Sequence, residues 1–148
     1  MRNQIVIKKI KDEFFSDNPG LLEIMDDKDR GYGYIQCLID GYNFAIPLRS
    51  SIRHNHCFVT STPHDGVGVK GLDYTKAIIV PPSYLAGTFV IDNREYRRIF
   101  RNQNNIINTF NDYINNYKMY AKGYEIPDEY GHAYQYTTLI NYHSELNI

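Results

Sequence analysis

The chain has no tryptophan, only two cysteines in 148 residues, and no apolar run near the ~18 residues that a bilayer-spanning helix needs. The last absence excludes a membrane-spanning helix. Two cysteines are too few for a disulfide framework, and Cys37 and Cys57 form no Cys-x-x-Cys pair, so both are expected as buried thiols. An excess of one charge is missing as well, since 16 Lys+Arg face 17 Asp+Glu for a formal net charge of -1 at pH 7. That balance excludes a generically basic coat for nucleic acid, so any RNA contact has to be local. Residues 1–9 mix charge among apolar side chains and lack the continuous apolar centre of a secretory signal, which points to the cytoplasm. No internal repeat or disordered linker stands out.

What is present is a hydrophobic fraction of 43% and 14 tyrosines, enough apolar side chain for one folded unit over residues 1–148. Most of the tyrosines are expected in the core, although tyrosine also stacks on bases. Residues 4–10 suggest a strand, and Asn18-Pro19 suggests a helix start ahead of Leu21, Leu22 and Met25. Two β-rich runs, 32–39 and 42–46, flank Asp40-Gly41, a pair favoured in type I′ hairpin turns. Pro47 is expected to end the ladder and open a polar surface loop over 47–56. Further strands are expected at 57–60, 77–80 and 88–91, with a loop over 61–71. From Arg94 onward, Tyr96, Ile99, Phe100, Ile106, Ile107, Phe110, Tyr113, Ile114 and Tyr117 recur at helical steps and predict one long amphipathic helix. Gly123, Pro127 and Gly131 interrupt the chain, and Thr137 or Thr138 suits the cap of a final short helix carrying Leu139, Tyr142 and Leu146. The short strands together point to a small curled sheet or barrel.

Cutting RNA without a metal takes activation of the 2′-hydroxyl, stabilisation of charge on the phosphorus centre, and protonation of the departing 5′-oxygen. Residues 47–56 hold candidates for all three: Arg49 and Arg53 for phosphate, Ser50 and Ser51 as hydrogen-bond donors, and His54 or His56 for protons. The same residues also suit a solvated loop with serine caps. A zinc site from His54 and His56 with Cys57, His64 or Asp65 has no recognised spacing behind it. Arg30-Gly31-Tyr32-Gly33-Tyr34 puts a cation and two tyrosines before the hairpin, a pattern that equally describes a turn and two β-formers. Lys70 and Lys76 flank a turn in a Lys–Asp mixture common on surfaces. Arg94, Arg97, Arg98 and Arg101 make a basic stripe able to meet phosphates or simply to face water. His143 suits a structural role, and His132 carries no signal.

Taken together, the blocks Arg30-Gly31-Tyr32-Gly33-Tyr34, Phe44-Ala45-Ile46-Pro47-Leu48-Arg49-Ser50, Arg53-His54-Asn55-His56-Cys57-Phe58, Lys70-Gly71-Leu72-Asp73-Tyr74-Thr75-Lys76-Ala77 and Thr137-Thr138-Leu139-Ile140-Asn141-Tyr142-His143 resemble the TenpIN branch of the type III toxins, in order and over nearly the whole chain. The resemblance to the ToxN and AbiQ toxins implies an α+β fold. It would be a compact, SH3-like curved antiparallel β-sheet or barrel, broadly like the MazF and Kid toxins, with a long helix in the C-terminal half and several short ones. It further implies an endoribonuclease that works without a cofactor through attack by the 2′-oxygen, leaving a 2′,3′-cyclic phosphate and a 5′-hydroxyl. The implied partners are an RNA substrate and an RNA antitoxin of repeated pseudoknots, which in the family occupies the active groove and can close toxin and RNA into a compact assembly. The family motif Pro-Leu-Thr-Ser-Pro-Lys falls on residues 47–52, so Ser50 matches the family serine, while Arg49 replaces the threonine and Ile52 the lysine. The cation then falls to Arg49 or Arg53, the basic residue before the first hairpin strand to Arg30, and the later lysine to Lys76. The implied catalytic surface is Arg30, Arg49, Ser50 and Arg53, with His54 or His56 handling protons. Tyr32, Tyr34, Ser51, Lys70, Lys76, Arg94, Arg97, Arg98 and Arg101 are the candidates for binding RNA. The rival expectation is an RNA-binding module without catalysis that uses the same residues.

Overall fold

Asp40 and Gly41 adopt left-handed φ values of 50° and 84°, as a type I′ turn demands. The turn pairs strand β2 (Tyr34–Ile39) antiparallel with β3 (Tyr42–Ile52), in register from Ile39 opposite Tyr42 to Tyr34 opposite Pro47. The hairpin is therefore where the sequence places it. The computed structural model describes residues 6–25, 32–62 and 68–148.

Strand β3 does not stop at Pro47 as expected, but runs five residues further to Ile52. The reason lies on its other edge. Ala45 pairs with Ile78 of β6 (Ile78–Ile79), and Leu48 pairs with Leu72 of β5 (Val69–Asp73). Between β5 and β6 the chain leaves the ladder for a 3-10 turn, Tyr74–Lys76. The Leu48 N–H donates to Gly33 O on the β2 side at 2.8 Å, so by alternation the Pro47 nitrogen faces this detour and not a paired strand. Thr138, fully buried, satisfies the detour instead: its hydroxyl meets the carbonyls of Thr75, at 3.3 Å, and of Ala77. Thr138→Val keeps the shape and strands both acceptors, so it is expected to cost about 1–2 kcal/mol in denaturant unfolding.

The seven antiparallel strands run in the order β4-β5-β3-β2-β1-β7, with β6 on β3, where β1 is Lys8–Ile10, β4 Cys57–Ser61 and β7 Leu85–Thr88. With four α-helices among the described residues, this is the expected α+β architecture. Several boundaries differ from expectation. No helix starts at Asn18-Pro19, and Leu21, Leu22 and Met25 are not helical. The helix here is instead α1 (Asp12–Asp17), with two acidic residues in its first turn, and Asn18 ends it by donating its side-chain amide to Phe14 O at 2.8 Å. The strand expected at 88–91 is β7, displaced toward the N-terminus to pair with β1, and residues 69–71 of the expected loop belong to β5.

The long helix is two, α2 (Asn93–Arg101) and α3 (Gln103–Ala121). Asn102 breaks it with φ -111° and ψ 21°, its amide turned back onto Arg98 O at 2.7 Å. α3 lays Ile106, Phe110, Tyr113, Ile114 and Tyr117 on the sheet, and Phe110 meets Phe44 edge-on at 5.4 Å between ring centroids. After α4 (Asp128–Ala133), the final segment is a 3-10 turn, Thr138–Tyr142, whose first N–H groups include that of Leu139, capped by Thr137. Tyr142 then accepts the otherwise free Ile79 N–H of β6 at 3.1 Å. No helix among the described residues is long and apolar enough to cross a membrane.

Candidate active site

The detour that lets β3 pass Pro47 begins at Asp73, whose side chain has no solvent exposure. Its Oδ1 accepts from the Thr75 N–H at 3.0 Å, from the Thr75 hydroxyl at 2.6 Å and from His54 Nε2 at 3.1 Å. Its Oδ2 takes Arg49 Nη1 at 2.5 Å. Burial pushes the carboxyl upward, but donation from His54 and Thr75 and the charge of Arg49 outweigh it and hold Asp73 below its ordinary value of 3.8. The unfolded chain therefore binds the proton more readily, so this group's contribution to stability is whole above the unfolded value and is lost as pH falls through the folded one.

His54 is held at both nitrogens. Nδ1 accepts the His56 N–H at 3.0 Å, so it carries no proton and the Nε2 proton points at Asp73. The His56 ring stacks on His54 at 5.8 Å and lies 5.0 Å from Tyr130 on α4. His56 Nε2 donates to the Glu129 carbonyl at 2.8 Å, which leaves Nδ1 as the unprotonated nitrogen of the neutral ring, without a partner among the described residues. Burial lowers the His56 pKa from 6.5, the nearby His54 lowers it further, and the Glu129 carbonyl only partly opposes them. The imidazole is thus biased toward its neutral form.

These side chains border an open groove of about 460 Å³ between β3, the 53–56 turn and α4, whose lining includes Arg49, Arg53, His54, His56, Lys76 and His132. Arg49 keeps 31% of its side chain exposed, and Arg53 is exposed with no ion-pair partner among the described residues. Lys76 reaches the groove while donating to Glu23 O at 2.8 Å and Tyr136 O at 3.0 Å. Burial lowers its pKa, against the pull of Glu23 and Asp73.

The other expected residues are not brought together there. Ser50 and Ser51 are exposed on β3, where the register shifts between Arg49 and Ile52 and Ser51 takes a φ of 58°; neither lines the groove. Arg30 lies outside the described residues, as do His64 and Asp65 of the zinc alternative. Tyr34 is only 2% exposed, a core residue with no surface to offer a base, although it shares its β2 face with exposed Gln36 and Leu38; it lies beside Phe15, Ile24 and Met25. Tyr32 borders a separate small pocket with Phe15, Met25 and Lys76. Gly33 serves packing, since a Cβ there would lie 2.6 Å from the Phe89 ring.

Lys70 faces Glu95 at 3.9 Å, away from the groove. Arg94, Arg97, Arg98 and Arg101 are all exposed on α2, with Arg98 tied to Val59 O at 2.7 Å and over the Phe58 ring at 5.3 Å. His54 and His56 are committed to Asp73 and Glu129, and no group of metal-ligating side chains assembles among the described residues. Cys37 is buried, whereas Cys57 is only partly so and packs against His54 O; burial pushes both thiols up to about 11. His143 is structural, 2.6 Å from the Tyr117 hydroxyl.

Asp73, Thr75 and His132 escaped the sequence reading. Asp73-x-Thr75 did carry a legible signal, an aspartate placed to cap the next turn. His132 carried none, because only the packing of α4 brings it to the groove.

No protein-family model matches the chain, and no curated protein does so either. The fold does match a solved structure described as a study of bacterial type III toxin–antitoxin systems in which a non-coding RNA pseudoknot selectively inhibits the toxin. The TM-score is 0.67 over 98% of this chain and 99% of that one, at 13% sequence identity. At that identity the likeness establishes architecture, and this chain therefore has, over nearly its whole length, the same fold as that structure.

Proposed function

We propose that the protein is a metal-independent endoribonuclease, the toxin of a type III pair restrained by a pseudoknot RNA antitoxin, as its sequence resemblance to the TenpIN branch implies. The observation that carries the reading is the groove itself, where an aspartate-anchored guanidinium, a second, exposed arginine and a neutral-biased imidazole border one open surface.

In the proposed reaction, His56 Nδ1 takes the proton of the 2′-hydroxyl as the 2′-oxygen attacks the adjacent phosphorus. The bond from phosphorus to the 5′-oxygen breaks, leaving a 2′,3′-cyclic phosphate and a 5′-hydroxyl. Arg49 and Arg53 offset the charge that builds on the phosphate oxygens, where preorganised donors act most strongly. Lys76 and His132 are the groove's remaining titratable donors for the leaving 5′-oxygen. Ser50, next to Arg49 on β3, donates to a phosphate oxygen at the edge of the site. The α2 arginines and Lys70 form a second basic face for RNA, a local cluster on a chain with no net positive charge.

Expression of the chain is expected to arrest bacterial growth, and co-expression of a tandem-repeat RNA encoded beside the gene is expected to relieve the arrest. Arg53→Ala should grow normally at equal protein level. Full toxicity in that variant would remove Arg53 from the site.

A further inference from the structure

We propose that Asp73 is the positioning residue of this groove: one buried carboxylate fixes Arg49 with one oxygen and, with the other, fixes His54 and through it the turn that carries His56. The proposal rests on the endoribonuclease reading of the same site.

The two oxygens have separate tasks. Among the described residues, Oδ2 takes only Arg49 Nη1, whereas Oδ1 takes three donors, two from Thr75 and one from His54. An ionised carboxylate offers about two acceptor positions on each oxygen, so Oδ1 is fully occupied by its three donors while Oδ2 is given over to Arg49. Arg49 spends one of its five N–H groups on Asp73 and borders the groove with the rest of its fork. A long side chain otherwise free to sample many rotamers is thereby held before RNA arrives, which removes an ordering cost from the reaction.

The Oδ1 branch reaches further. Because the His54 Nε2 proton goes to Asp73, Nδ1 is left to accept the His56 N–H. That bond closes the 54–56 turn and, together with the Glu129 carbonyl, sets the His56 ring against α4. With Nδ1 protonated instead, His54 would present a donor to the His56 donor and the turn would open. Asp73 touches neither RNA nor the reacting atoms in this account; it acts through the two side chains that do and the histidine between them.

Asp73→Asn separates the branches. Asparagine keeps an acceptor for Thr75 and His54 at the Oδ1 position, but places an NH₂ group against the Arg49 donor. With an RNA oligonucleotide in EDTA, kcat is expected to fall about 100-fold, the loss typical of a misplaced reacting group, with KM changed far less. The double variant with Arg49→Gln is expected to be no slower than Arg49→Gln alone. Wild-type kcat in Asp73→Asn, or additive losses in the double variant, would overturn the proposal.

A second readout needs no RNA. The ¹⁵N imidazole spectrum of the wild-type protein should show His54 as the Nε2–H tautomer, and it applies even if Asp73→Asn does not fold. An Nδ1–H tautomer overturns the proposal. The expected tautomer in a protein that leaves RNA intact supports the positioning role and rejects the endoribonuclease reading instead.

Discussion

His56→Ala is expected to slow RNA cleavage by about 10²–10⁴-fold, the range lost when a general base is removed. The reasoning rests on which nitrogen is available. His54 has both nitrogens engaged, whereas His56 donates Nε2–H to Glu129 O and keeps Nδ1 unprotonated. Only the neutral ring can take a proton, and burial lowers the His56 pKa from 6.5. Activity should therefore persist below pH 6.5 and fall as pH drops through the lower value of the folded protein. In His56→Ala that acidic limb should vanish, and added imidazole should restore part of the rate. Loss of rate without rescue, with the limb unchanged, would assign the proton transfer elsewhere and leave His56 a packing role against Tyr130.

Gly71→Ala should be the most damaging added methyl among the described glycines. Gly71 lies on β5 between Arg49 of β3 and Val59 of β4. An added Cβ would sit 2.1 Å from Phe58 O, 2.9 Å from Phe58 C and 3.1 Å from Val59 Cα, all of them backbone atoms. No rotamer change relieves that clash, so β4 must separate from β5. The expected cost is about 3 kcal/mol or more, the upper end for overpacking. β5 also ends in Asp73, so the surviving folded fraction should cut RNA poorly because its Arg49 and His54 anchor has moved. Unfolding in denaturant and kcat on the folded fraction measure the two effects separately.

What could be seen in the sequence follows from the range of the forces involved. Asp40-Gly41 and the alternation in β2 act over a few residues, so the hairpin is legible. The passage of β3 through Pro47 depends on a detour some 26 residues later, between Asp73 and Ala77, and no local pattern around Pro47 announces it. The break at Asn102 is hidden because apolar periodicity continues on both sides. Within the site, Arg49, Arg53, His54 and His56 stand close together and were visible as a basic, titratable stretch. Their separate tasks were not, because these depend on Asp73 lying buried, and an aspartate between Lys70 and Lys76 has the composition of an exposed turn. Tyr34 illustrates the opposite error: its neighbours suggested a stacking surface, and strand parity puts it on the face of exposed Gln36 and Leu38, yet it lies buried beside Phe15, Ile24 and Met25.

The most direct test is to incubate the purified protein with single-stranded RNA in excess EDTA and to identify the new ends. The account predicts cleavage with 2′,3′-cyclic phosphate and 5′-hydroxyl termini, suppressed when a tandem-repeat RNA encoded beside the gene is added first. RNA that is bound but left intact, or cut only after zinc or manganese is supplied, would contradict it.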